Sequence, residues 1–145
     1  MRHEFSVEID RPVEQVFQLT NDDVSAWSIM CVADEPLETT PEVVGSTARV
    51  TTEENGHRMV FDAVVTEYEI PRLSSVQLTG PHFDLDVTYR FDDLGGRTRV
   101  TQISRVRPHG VMKLVVGAMS LLPRRKTPSG PSDELESLKR YCESQ

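Results

Sequence analysis

Apolar and polar positions alternate with a period of two along most of this chain. Residues 3–9, His-Glu-Phe-Ser-Val-Glu-Ile, place Phe5, Val7 and Ile9 on one face, which predicts a first strand. Asp10, Arg11 and Pro12 stop it; Asp10 suits a helix cap and Pro12 a first helical turn. Val13, Val16, Phe17 and Leu19 then follow helical spacing and predict a short amphipathic helix. A second short helix, capped by Asn21 or Asp22, ends near Trp27, the single tryptophan and an expected core anchor. From there the alternation predicts strands over 30–37, 45–54, 58–70, 73–79, 82–92 and 97–107. The breaks between them carry turn chemistry: Pro36 and Pro41, Asn55-Gly56, Pro71-Arg72, Gly80-Pro81, and Leu94-Gly95-Gly96.

The turns propose registers. Across Asn55-Gly56, Val50 meets Phe61 and Ala48 meets Ala63, while Arg49 meets Asp62 and Glu53 meets Arg58 on the other face. Across Pro71-Arg72 the Phe61 face continues into Val76 and Leu78, with Glu67 opposite Val76. Across Gly80-Pro81, Leu78 is set against Phe83 and Val76 against Leu85. Across the glycine turn, Tyr89 is set against Val100, Val87 against Gln102, Leu85 against Ser104 and Asp84 against Arg105. The resulting face is apolar on one side and charged on the other, the mark of an antiparallel sheet covered on one side.

Residues 111–122 break the two-residue period. Nine of these twelve are apolar, and the exceptions Lys113, Gly117 and Ser120 share one narrow helical stripe. This predicts a helix that covers the sheet. Residues 123–131 follow with three prolines and a glycine, and a final helix carries Leu135, Leu138 and Cys142 or Tyr141 along its apolar edge. The expected class is α+β: a curved seven-stranded antiparallel sheet, two short helices after strand 1, and a long C-terminal helix across the concave face, continuous or broken at 123–131. At 145 residues the chain is expected to form one domain, residues 1–145.

Composition narrows the function classes. A net charge of −7 argues against general affinity for nucleic acid or anionic membranes, and no apolar run is long enough to span a bilayer, so stable membrane insertion is not expected. Two cysteines make no disulfide framework, and the opening MRHEF lacks an apolar signal core, so the cytoplasm is the expected compartment. His3, His57, His82 and His109 have no metal-ligand spacing, and no metal or cofactor is expected. Asp84 and Asp86 point the same way from one strand, but the register places them outside, beside arginine. Arg124, Arg125 and Lys126 can dock on anionic lipid or cap the preceding helix.

Three stretches carry a family resemblance. They are residues 7–17, VEIDRPVEQVF, leading to Trp27; residues 61–73, ending VTEYEIPRL; and Gly95-Gly-Arg-Thr-Arg-Val-Thr101. With the final Leu135/Leu138 helix they frame nearly the whole chain, which resembles the START-like helix-grip fold of the SRPBCC group, polyketide cyclase/dehydrase and lipid transport type. The resemblance implies binding of a small hydrophobic molecule, lipid or polyketide-like, between sheet and helix. It carries over no catalytic residue, because the matching positions are structural.

On this reading the chain is a carrier or sensor of such a molecule. The expected cavity residues are Trp27, Met59, Phe61, Phe83, Leu85, Tyr89, Val115 and Met119, with Gln102, Ser104 and Glu67 as polar specificity groups. Glu67 shares parity with Phe61 and is expected inside, unless a β-bulge intervenes. One alternative is a cyclase or dehydratase in which Glu67 or Tyr89 moves protons. The other is a protein-interaction module with a vestigial cavity.

Overall fold

The computed structural model describes residues 2–54, 56–109 and 131–145. Seven strands form one antiparallel sheet: β1 (Arg2–Ile9), β2 (Cys31–Glu38), β3 (Thr47–Glu54), β4 (His57–Glu69), β5 (Leu73–Thr79), β6 (Phe83–Asp93) and β7 (Thr98–Pro108). Their spatial order is β1-β7-β6-β5-β4-β3-β2, a meander closed on one side by the first strand. Helices α1 (Val13–Asp22) and α2 (Val24–Trp27) link β1 to β2, and α3 (Pro131–Glu143) ends the chain. The expected 111–122 helix with Val115 and Met119, the Arg124–Lys126 charges, the 123–130 break and Asn55 lie outside the described residues.

The helix caps differ from expectation at two points: α2 is capped by Asp23, not by Asn21 or Asp22, because α1 runs on through Asp22. Pro12, not Asp10, is the N-cap of α1, and it makes no side-chain cap bond. The Asp10 amide instead donates to Glu143 Oε2 at 2.8 Å, tying the end of β1 to the end of α3.

Apolar burial is concentrated under the helices. Ile9, Val13, Val16, Phe17, Trp27, Phe91, Val100, Leu135, Leu138 and Cys142 form one buried cluster. The helical spacing of Leu135, Leu138 and Cys142 is what lets α3 lie on β1, with all three at most 1 % exposed. Phe17 sits at the centre, its ring edge-on to Phe91 at 5.0 Å and to Tyr68 at 5.2 Å.

The β3–β4 register matches the charge and apolar pairing of the sequence, with Val50 opposite Phe61 and Glu53 opposite Arg58. The β5–β6 and β6–β7 hairpins are shifted by two residues from expectation. Leu78 meets Leu85 and Val76 meets Val87, while Tyr89 meets Gln102, Val87 meets Ser104 and Leu85 meets Val106. A shift of two preserves which face each residue occupies. It also sets Asp92 opposite Arg99 and Arg90 opposite Thr101. Arg105 is accordingly not the partner of Asp84: Asp84 pairs with His109 Nε2 at 2.9 Å, and Asp86 with Arg107 Nε at 3.0 Å.

Glu67 is corrected by a bulge. Between Val65 and Glu67, β4 advances two residues while β5 advances one, so Thr66 is the extra residue. The bulge reverses the alternation. Glu67 pairs with Ser75 and is exposed, and Tyr68 turns inward beside Phe17.

Candidate functional site

Beyond the packed cluster, the described residues leave the apolar face of the sheet unfilled. A cavity of about 440 Å³ lies over β3–β7, bounded at one end by α1, α2 and the start of β2, and reached by Glu134 at the start of α3. Its floor is aliphatic, with Val50, Ala63, Val65, Val76, Leu78 and Val87.

One polar row crosses that floor. The registers align Tyr68 with Ser74, Ser74 with Tyr89, and Tyr89 with Gln102 across four adjacent strands. Gln102 Nε2 donates to Tyr89 Oη at 2.8 Å. Gln102 Oε1 and Ser74 Oγ are buried without a hydrogen-bond partner. Buried polar atoms are rarely left so, because desolvation without compensation is costly. Trp27 stands edge-on over Tyr89 at 6.2 Å, its Nε1 donating to the Thr20 carbonyl at 3.1 Å. Its own carbonyl accepts from Ser137 Oγ, so α3 holds the tryptophan in place. Burial holds the Tyr89 phenol well above its ordinary value, and the Glu134 charge adds to this.

Among the described acids of the cavity wall, Glu134 is the buried one, at 3 % exposure. Its Oε1 accepts from Ser28 Oγ at 2.8 Å and from the Met30 amide at 3.0 Å, pinning the α2–β2 junction to α3. Burial raises its pKa above the ordinary 4.5, against the Ser28 and backbone hydrogen bonds that favour the anion. A raised native-state pKa means that the folded protein holds the proton more tightly than the unfolded chain. The associated stabilisation is therefore complete below pH 4.5 and is lost as pH rises through the folded-state value. Glu134→Gln keeps an acceptor oxygen but cannot ionise. In urea titrations at several pH values its stability relative to wild type is expected to improve steadily as pH rises. A gap independent of pH refutes this.

Of the expected cavity residues, Trp27, Leu85, Tyr89 and Gln102 line the cavity. Met59, Phe61, Phe83 and Ser104 are on the inner face but border the cavity nowhere; Phe61 and Phe83 pack on each other at 5.6 Å beneath the β5–β6 turn. Ser74, Tyr68 and Glu134 also line the cavity, and sequence reasoning missed all three. Tyr68 had a signal: apolar residues at 61, 63 and 65 resume at 68, and that three-residue step marks a bulge. Among the described residues no group of His, Cys, Asp and Glu is arranged to hold a metal ion. No helix among them is long and apolar enough to cross a membrane.

The sheet order, with β1 and β2 at opposite edges and helices over one face, sets the comparison with known proteins. The model of the family described as polyketide cyclase/dehydrase and lipid transport matches residues 2–143. The chain belongs to this family. A comparison with curated protein sequences returns no match. Among solved structures, a START superfamily protein from Mycobacterium smegmatis is similar with a TM-score of 0.76 at 17% identity, covering 99% of this chain and 97% of the other. The Zhui aromatase/cyclase from a Streptomyces species has a TM-score of 0.74 at 14% identity, covering 99% and 93%. The major latex-like protein 151 of Panax ginseng has a TM-score of 0.72 at 14% identity, covering 99% and 95%. At these identities the likeness establishes a shared helix-grip fold.

Proposed function

We propose that the protein binds a small hydrophobic molecule in this cavity and serves as its carrier or sensor. The observation that carries this is the pairing of an apolar space left open among the described residues with two buried, unpartnered polar atoms, Ser74 Oγ and Gln102 Oε1. Ligand sites combine those features: a mostly apolar wall for affinity and a few placed polar groups for orientation. A volume of about 440 Å³ falls within the range of small-molecule sites. Membership of a polyketide cyclase/dehydrase and lipid transport family supports the same reading. We take residues 1–145 as one domain acting in the cytoplasm, where its two buried free thiols, Cys31 and Cys142, suit a reducing environment.

The test is native mass spectrometry of the purified protein, then extraction and identification of what was bound. Gln102→Leu removes the amide and keeps most of the volume. It is expected to weaken binding of the extracted ligand about tenfold, the weight of one lost polar contact. Unchanged affinity removes Gln102 from the site.

A catalytic reading has one point in its favour: Tyr89 and Glu134 place a hydroxyl and a carboxyl on the cavity wall, and an aromatase/cyclase shares the fold. Against it, the Glu134 carboxyl is engaged in holding Ser28 and Met30. Glu67 has no part in it, being on the outer face. The reading as a protein-interaction module with a vestigial cavity is disfavoured by the cavity itself.

A further inference from the structure

We infer that the cavity selects an uncharged apolar molecule bearing a hydrogen-bond donor, such as a hydroxyl or secondary amine, and rejects one whose polar end is an anion. The inference rests on the reading of the cavity as a ligand site and names the class of ligand. Two observations carry it. First, the described lining residues include Asp22, Asp34 and Glu38, which are exposed, and buried Glu134, and no Lys, Arg or His. A carboxylate, sulfonate or phosphate entering there meets like charge, with no cation on the described wall to replace its lost water. Second, the Gln102 side-chain oxygen left without a partner asks for a donor. Gln102 is 8 % exposed and Ser74 is 5 % exposed. Gln102 Oε1 can only accept, since its Nε2 is already given to Tyr89. Ser74 Oγ has free acceptor capacity beside it on the same row. A hydroxyl or N–H satisfies Gln102 Oε1, whereas an anionic head sets acceptor against acceptor there; the Ser74 hydroxyl, which can donate or accept, serves either.

The rest of the wall agrees. Burial and the Asp34 charge raise the Cys31 thiol to about 11, so it supplies a neutral surface near neutral pH. The chain's net charge of −7 gives a field of the same sign at long range.

A matched pair of dyes tests this. Phenyl-naphthylamine is neutral and carries one N–H; anilinonaphthalene sulfonate is the same aromatic frame with an added sulfonate. Both fluoresce on entering apolar sites. Titration of the wild-type protein is expected to show the neutral dye binding at least about tenfold more tightly. In the double variant E134Q/D34N the ratio is expected to shrink severalfold, through tighter binding of the sulfonate. Equal or tighter binding of the sulfonate by the wild type overturns the inference while leaving the cavity as a ligand site. A ratio unchanged in the double variant overturns the assignment of selectivity to these carboxyl groups. Failure of both dyes to bind overturns the ligand-site reading and this inference together.

Discussion

Phe17→Ala is expected to lower the unfolding free energy by about 3–5 kcal/mol, the usual cost of emptying a filled aromatic site. Phe17 is 2 % exposed and joins three elements: it stands on α1, and its ring meets Phe91 of β6 and Tyr68 of β4 edge-on. Each such pair adds about 0.5–1.5 kcal/mol beyond the area buried. Helix and sheet are both held by other contacts, so the void has little freedom to collapse. Urea titration followed by the fluorescence of Trp27 measures the effect. A loss below about 1 kcal/mol is far from the range for a rigid core and shows that the α1 interface closes over the gap. The substitution also removes the ring that supports Tyr68 at the edge of the cavity. Ligand affinity is therefore expected to fall even in conditions where the variant remains folded.

The second large effect is expected at Gly80. A methyl group there sits 2.7 Å from Phe61 Cδ1 and 2.7 Å from the Phe83 carbonyl oxygen. Neither neighbour yields easily. Phe61 is 1 % exposed and packed on Phe83, and the carbonyl accepts from the Gly80 amide at 3.1 Å to close the turn. Gly80→Ala is expected to cost about 1–3 kcal/mol as overpacking of a filled site. Because the clash involves the Phe61 ring, Phe61→Leu in the alanine background is expected to cost less than Phe61→Leu alone. A double-mutant cycle reads that coupling directly. Additive losses place the strain entirely on the Phe83 carbonyl.

Much of this architecture can be seen in the hydrophobic pattern, for reasons that also mark where it stops. Two-residue alternation places Phe5, Val7 and Ile9 under α3 and gives the inner face from Ala48 to Val100, because only one register parity buries apolar groups. Parity is insensitive to even shifts. The β5–β6 and β6–β7 pairings are accordingly right in face and displaced by two along the strand, with turn length undetermined by hydrophobicity. Glu67 fails because a single inserted residue at Thr66 reverses parity, exchanging it for Tyr68. Trp27, Leu85, Tyr89 and Gln102, expected at a ligand site, lie along the cavity wall, whereas Phe61 and Phe83 fill their own space by pairing. Glu134 is hidden in sequence by its company: beside Asp133 in the first turn of α3, it looks like ordinary dipole compensation. Its inward orientation depends on where α3 docks, which is a long-range property.

The position of β1 has a consequence for the order in which this protein can be made. Its hydrogen-bonding partner is β7, so that Ser6 meets Thr101 across 95 residues of chain. β2 to β7 can zip up hairpin by hairpin as they are synthesised, but the first strand waits for the last. Until residues 98–108 exist, Phe5, Val7 and Ile9 have no strand to pair with, and until residues 131–143 follow, Ile9 lacks the helix that buries it. The first strand is thus one of the final pieces of this fold set in place, and its adhesive apolar face stays exposed until residues 98–108 have been made.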